Sequence, residues 1–500
     1  MTAQLARLAE FQAAFPDYAG TAGLDALRAS QYSCLDACGQ VYLDYTGACL
    51  PARAQLEAHV ARVTGGCFGN PHSEHPPSAA STTLIEQARS AVLAHCNASP
   101  DEYAVIFTYN ASAACRLVGE AIDFGGGRCL VLTSDNHNSI NGIREFARAA
   151  GAPTEYVPFS SASLRIDDEQ VCSALRWARS ATRSGFAGRG RRGQAGLFAY
   201  PAQSNFSGVQ HPLGWIEEAH ELGYDVLMDA SAFLPHNRLD LSVVHPDFVP
   251  VSWYKVFGYP TGVGCLIARH EALGRLRRPW FSGGSISAVS VMGDWHALAA
   301  DEAGFEDGTA SFLSIPDVEV GLDWINTVGL PVIADRVRCL TGWMLGRLAG
   351  LQHSDGAPIV RLYGPTDLEQ RGGTIAFRVL DRDGALVDSR VVGSDTAAAG
   401  ISVRTGCFCN PGASEAAFGL SMEMIAAAQA SDAVTADGYY DVAGIAGGAV
   451  RASVGLVSTI GDVEALVGFI EAVYTDRPGQ LSRGAARAPE PDMVSAQSRM

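Results

Sequence analysis

Lysine is almost missing from this chain. Among 500 residues Lys255 is the only one, and the other 35 of the 36 Lys+Arg residues are arginine. A GC-rich genome would explain the general preference for arginine, and composition alone leaves a single leftover lysine open. Arginine supplies the same charge, but it does not readily shed a proton and attack a carbonyl. The exception therefore directs attention to amine chemistry at position 255. Charge is sparse too, at 18% of residues, with a net charge of −17. Such an acidic balance argues against a nucleic-acid partner and against an anionic membrane surface. No apolar run is long enough to span a membrane. The first residues, "MTAQLARLAEFQAAFPDYAG", lack the apolar stretch and cleavage pattern of a secretion signal. The twelve cysteines show neither zinc-ligand spacing nor a compact disulfide framework. The expectation is a cytoplasmic protein with unpaired thiols and no bound metal. Internal repeats are absent as well.

What is present is a large apolar fraction, 47%, in a chain long enough for two or more packed lobes. Residues 1–35 have amphipathic helical character. "VYLDYTG" (41–47) predicts a strand running into a turn. Thr83 and Glu86 make a plausible capping box for a following helix. Short apolar runs then recur at 104–108, 129–134, 196–202, 225–230, 247–252 and 264–268, with helical patterns between several of them, as around 213–222. Unbroken apolar strands alternating with helices predict an α/β fold, a mostly parallel sheet covered on both faces. The Gly/Arg-rich stretch 184–196 reads as a mobile surface excursion. Beyond about residue 310 the texture changes to a second α+β region, and the tail 476–500 has the composition of disorder.

Chemistry gathers at the ends of these runs. "DVLMDA" ends near Asp229, and 26 residues later the next run ends near Lys255. Ligands in open α/β sheets bind beyond the carboxyl ends of strands. A lone Asp there is more often a helix cap. An acid and a lone lysine on successive strand ends nevertheless fit pyridoxal phosphate: the lysine holds the aldehyde as a Schiff base and the acid pairs with the pyridinium nitrogen. "FTYNASAA" (107–114) places a helix start after a strand, a ready phosphate site, although such junctions are common. "RTGCFCNPG" (404–412) holds Cys407 and Cys409 in a Gly/Asn/Pro loop beside an arginine, a setting for an exposed, activated thiol or for two incidental cysteines. In "AVRASVGLVST" (449–459), Arg451 sits in an apolar run and needs an anion, either a substrate carboxylate or an internal acid.

Together "YLDYTGA", "GNPHS", "VIFTYNASAA", "AQSNFSGVQHPLGWI", "DFVPVSWYKVFGYPTGVG", "FEDGTASFLSIP" and "RTGCFCNPGA" resemble the class V aminotransferase family of fold-type I pyridoxal phosphate enzymes. The closest resemblance is to the cysteine-desulfurase domain of molybdenum cofactor sulfurases. It implies a large cofactor-binding domain with a mostly parallel seven-stranded sheet over residues 40–309. A smaller α+β domain would come from 1–39 and 310–475. It further implies that Lys255 carries the cofactor, that Asp229 pairs with its ring nitrogen, and that His137 stacks on the ring and moves protons. Ala111, Ser112 and Ser252 would hold the phosphate. Thr309 would reach the phosphate of a neighbouring subunit in a homodimer. Asn205 would lie by the cofactor hydroxyl and the substrate carboxylate, Arg451 would grip that carboxylate, and Cys409 would attack the substrate sulfur. Tyr254 and Ala232 stand where the wider desulfurases commonly carry histidine and glutamine, a departure shared by the sulfurase subgroup. The resemblance further implies that the C-terminal cofactor-binding domain of those sulfurases would begin about where these 500 residues end.

The expected activity is therefore a pyridoxal phosphate-dependent cysteine desulfurase, converting L-cysteine to L-alanine with a persulfide on Cys409. The sulfur acceptor is left open, including a molybdenum cofactor-binding partner acting in trans. A C–S lyase, an epimerase or another class V enzyme of secondary metabolism is the rival, and a non-enzymatic sulfur-relay scaffold is a further one.

Overall fold

The computed structural model describes residues 2–71, 73–160, 163–184, 194–430, 442, 445 and 447–479. After a two-residue strand β1 (Val41–Tyr42), seven strands build the main sheet. They are β2 (Tyr103–Thr108), β3 (Cys129–Thr133), β4 (Thr154–Val157), β5 (Gly196–Pro201), β6 (Tyr224–Asp229), β7 (Phe248–Ser252) and β8 (Gly264–Arg269). Their order is β2-β8-β7-β6-β5-β3-β4. Only β8 runs antiparallel to its neighbours. The expected α/β fold with a mostly parallel seven-stranded sheet is borne out. The strands are apolar throughout because both faces are covered. Val105 and Phe107 of β2 join one core while Ala104 and Ile106 join the other; Phe198 and Leu197 of β5 divide in the same way.

A hairpin, β9 (Ile286–Ser290) and β10 (Trp295–Leu298), follows the main sheet. The later region centres on an antiparallel sheet of β11 (Val360–Tyr363), β12 (Thr374–Val379), β14 (Arg404–Gly406) and β15 (Ala449–Ser453), ordered β11-β12-β15-β14. The short β13 (Ile401–Ser402) pairs in parallel with β1, so the early chain joins the late one. Arg336, wholly buried on the helix Leu330–Ala349, ties the N-terminal segment down. Its guanidinium donates to Thr21 Oγ1 at 2.7 Å, Tyr18 Oη at 2.9 Å and Asp25 at 2.8 Å.

Several local expectations need correction. The helix bearing Thr83 begins earlier, at Pro76, where His75 caps it and proline at its first positions costs no hydrogen bond. Thr83 therefore lies mid-helix and returns its hydroxyl to the Ala79 carbonyl. The strand expected over 41–47 is only β1. Strand β4 was not expected: in "TEYV" only Val157 is buried, as suits the sheet edge. The chain leaves β7 at Ser252, so Lys255 sits in the short helix Trp253–Phe257 rather than at a strand end. The expectation for 184–196 falls, at 185–193, outside the described residues. So does the tail from 480 onward, while Asp476 and Arg477 still bond to His353 and Asp395.

Candidate active site

The carboxyl ends of β3, β6 and β7 and the start of the helix Ala111–Ala121 meet in one cleft of about 350 Å³. Its walls include Ala111, Ser112, His137, Asn205, Asp229, Ser252 and Lys255. Seven of the expected site residues are thus brought together by the topology. Thr309 lies instead in a neighbouring depression with Phe107, Tyr109 and Phe305, where its Oγ1 accepts a bond from Asn70 Nδ2 at 3.3 Å.

Lys255 is fixed by its helix. Trp253 is fully buried and stacks on Phe257, with centroids 5.7 Å apart. Gly258 ends the turn at φ 83°, where a β-carbon would also strike the Leu50–Pro51 backbone. Burial lowers the Lys255 ammonium below its usual 10.5; Asp229 pulls upward and Arg451 adds to the lowering. Asp229 Oδ1 accepts from the Ser231 N–H at 2.9 Å. His137 caps a short helix, its Nδ1 accepting from the Ser139 N–H at 3.1 Å. A backbone N–H can only donate, so the ring proton belongs on Nε2. Burial lowers the His137 pKa and the Lys255 charge lowers it further, against the pull of Asp229.

The helix start is built to hold an anion. Asn110 caps it, accepting from the Ala113 N–H at 2.9 Å, and Ala111 N–H donates to Ser252 Oγ at 3.0 Å. Ser112 Oγ shares a 2.5 Å hydrogen bond with Ser139 Oγ. A side chain at Gly264 would fall 2.6 Å from Asn110 Cα, so glycine permits this close approach. The hydroxyl of Ser231, also on the cleft wall, is buried with no protein partner. A helix N-terminus with serine hydroxyls, a carboxylate, an imidazole and a lysine amine around one cleft is a donor set that fits pyridoxal phosphate.

Arg451, on β15, is buried and has found an internal acid. Its Nη2 donates to Asp44 Oδ1 at 2.9 Å and its Nη1 to the Asn205 carbonyl at 3.0 Å. Nε is buried without a partner, and the guanidinium lies 4.9 Å from the Phe408 ring centroid. Arg404, its cross-strand neighbour on β14, shares Asp44 at 2.6 Å. Asp44, within "YLDYTGA", carries no local signal of this role, because its arginine partners stand 360 and 407 residues away.

The thiol loop is tied to the cleft by hydrogen bonds without lining it: neither Cys409 nor Arg451 is among the cleft's walls. Phe408 and Cys409 both adopt φ 57°, a left-handed backbone that non-glycine residues seldom take. Asn205 Nδ2 donates to the Phe408 carbonyl at 2.7 Å, and Asn138 N–H to the Cys409 carbonyl at 2.8 Å. Cys409 is exposed, while Cys407 packs with Phe418, Leu420 and Ile445. Asp135, His211 and Asn410, which complete the loop's attachment, were not anticipated. Asp135 lies only two residues before His137, but its partners are remote in sequence.

The profile of the class V aminotransferases matches residues 41–183 and 186–466. The molybdenum cofactor sulfurase of Bos taurus is 36% identical over 474 residues, covering 91% of this chain and 52% of that protein. The chain thus spans about half the length of the mammalian sulfurases it matches. The apo cysteine desulfurase of Thermococcus onnurineus superposes with a TM-score of 0.71 at 23% identity, covering 90% of this chain and 97% of that one. The cystine C–S lyase C-DES, in complex with cysteine persulfide, gives 0.65 at 19% identity, covering 89% and 100%. These two likenesses establish the fold.

Proposed function

The chain belongs to the class V aminotransferase family, with fold-type I architecture, and we propose that it is a pyridoxal phosphate-dependent cysteine desulfurase. The observation that carries this reading is the meeting of the sole lysine with Asp229, His137 and a helix N-terminus in one cleft, with the Cys409 loop bonded to the residue after His137. When bound, the cofactor supplies an electron sink that lets an α-proton leave an amino acid. Ala111, Ser112 and Ser252 would hold its phosphate, Asp229 would keep its ring nitrogen protonated, and His137 would stand beside the ring. Arg451, whose Nε has no protein partner although both its Nη atoms are engaged, would orient the substrate carboxylate beside Asn205. Lys255 Nζ, its proton loosened by burial, takes the α-proton and returns it. The Cys409 sulfur then attacks the substrate sulfur. The carbon–sulfur bond breaks as the sulfur–sulfur bond forms, and cysteine plus thiol become alanine plus persulfide.

Residues 40–309 supply the cofactor cleft, and 1–39 with 310–475 supply Arg451 and the thiol loop. A homodimer is supported by the hairpin β9–β10, which leaves Val289, Val291, Met292 and Trp295 exposed, and by Thr309 lying outside its own cleft. All twelve cysteines are unpaired, which supports a reducing, cytoplasmic location. The name of the mammalian relatives makes a molybdenum cofactor the first sulfur acceptor to test.

A C–S lyase is the second reading, because Cys409 is not among the residues that wall the cleft. The visible spectrum of the purified protein, followed by product analysis after L-cysteine is added, separates the two. Alanine supports the desulfurase; pyruvate supports the lyase; no cofactor band refutes both. Cys409→Ala should abolish persulfide formation while preserving the absorbance, and full turnover in that variant would overturn the assignment.

A further inference from the structure

The loop that carries Cys409 is fastened by a buried polar clamp. Asp135, between β3 and His137, has no solvent exposure. Its Oδ1 accepts from Asn410 Nδ2 at 2.6 Å and from Ser204 Oγ at 2.9 Å. Its Oδ2 accepts from His211 Nε2 at 3.0 Å, and that imidazole, itself buried, lies 5.3 Å from the Trp215 ring. Asn410 Nδ2 also donates to Asn205 Oδ1 at 3.0 Å, and Asn410 Oδ1 accepts from Ala413 N–H, capping the helix Pro411–Phe418. That arrangement leaves Asn205 no choice of amide orientation. Its Oδ1 faces Asn410, so its Nδ2 must face the Phe408 carbonyl. Asp135 therefore orients Asn410, Asn410 orients Asn205, and Asn205 holds the residue before Cys409 in its left-handed backbone. Gly412 presses against the Ser134 carbonyl, bringing the loop down on the same strand end.

We propose that Asp135, supported by His211, is a positioning residue that couples the wall of the cofactor cleft to the sulfur-accepting thiol, setting where Cys409 stands when substrate sulfur is attacked. A buried carboxylate bonded to three donors, none of them arginine, is a costly feature for packing alone. One of its partners, Asn410, leads to the thiol loop, while Asp135 itself stands two residues before His137 on the cleft wall. The proposal rests on Cys409 being the acceptor thiol.

The test uses the holoenzyme carrying Asp135→Asn, in which an amide N–H₂ replaces one of the two accepting oxygens. Iodoacetamide labelling, followed at the Cys409 peptide by mass spectrometry, reads the loop without reference to activity. The expected result is retained cofactor absorbance, faster Cys409 labelling, and a kcat for alanine about a hundredfold lower with KM little changed, as for misplacement of a reacting atom by an ångström. His211→Phe, which keeps a ring against Trp215, should shift labelling and kcat in the same directions and serves if Asp135→Asn does not fold. Labelling at the wild-type rate, or an unchanged kcat, in the folded variant overturns the proposal. If the wild-type enzyme forms no Cys409 persulfide, the desulfurase reading fails on its own, and the labelling rates still report the clamp.

Discussion

His236 should make the protein acid-sensitive to a calculable degree. Its Nε2 is enclosed without a partner and borders a small cavity that Lys255, Tyr45 and Ser231 also line. Burial pushes its pKa down to about 4 from 6.5. The folded state thus disfavours the imidazolium, whereas the unfolded chain accepts the proton near 6.5. Stability from this group is complete above pH 6.5 and is lost as pH falls through 6.5 towards 4. At about 1.36 kcal/mol per pKa unit, the whole loss is roughly 3 kcal/mol, of which about 2 kcal/mol has gone by pH 5. His236→Gln removes the titration while keeping a polar group of similar reach. Urea unfolding of both proteins at pH 7 and pH 5 measures the difference. Wild type should lose about 2 kcal/mol more than the variant between those values. Parallel losses would refute the argument, since every other titrating group is common to the two proteins.

Lys255→Arg keeps the charge, yet it should abolish both the cofactor's visible absorbance and turnover; a spectrum of the purified variant decides. Asp44→Ala strands Arg451 as a buried charge and should cost about 3–5 kcal/mol. With about 2.1 cal/mol/K of unfolding entropy per residue, that is a fall in Tm of roughly 3–5 °C by calorimetry. Gly412→Ala sets a methyl against the Ser134 carbonyl and should destabilise by about 1–3 kcal/mol in urea unfolding.

Six of the seven main strands were legible because each is a short apolar run buried on both faces, and that burial is what holds a strand in the middle of a sheet. The edge strand Thr154–Val157 was not, since an edge asks only for alternation and "TEYV" offers little apolar surface. Thr83 and Glu86 carry a true capping pattern, but a proline pair seven residues earlier had already begun the helix. Nothing in the sequence marks β8 as antiparallel, because buried strands look alike in either direction. At the site, Lys255 stands out by composition and Asp229 by its strand end, and their meeting follows from the adjacency of β6 and β7, with Lys255 one turn beyond its strand. The partners of Arg451 and Asp135 were not legible, because ion pairs and amide clamps join residues hundreds of positions apart.

The other buried cations explain why one position had to escape arginine. Arg336 and Arg451 each meet a carboxylate. Arg371 has the harsher setting, bonded to the carbonyls of Ser207 and Thr374 with no ion-pair partner among the described residues. Burial pulls its pKa down, and still only to about 10. Even there a guanidinium stays protonated at pH 7. A guanidinium at position 255 would start from the same high value as Arg371, which is why the role proposed for that position asks for an amine. Lysine begins about two units lower, at 10.5 against 12.5, and burial moves it further towards neutrality. In a chain that otherwise uses arginine throughout, the proposed base is thus the one lysine, whose charged form burial and Arg451 both disfavour.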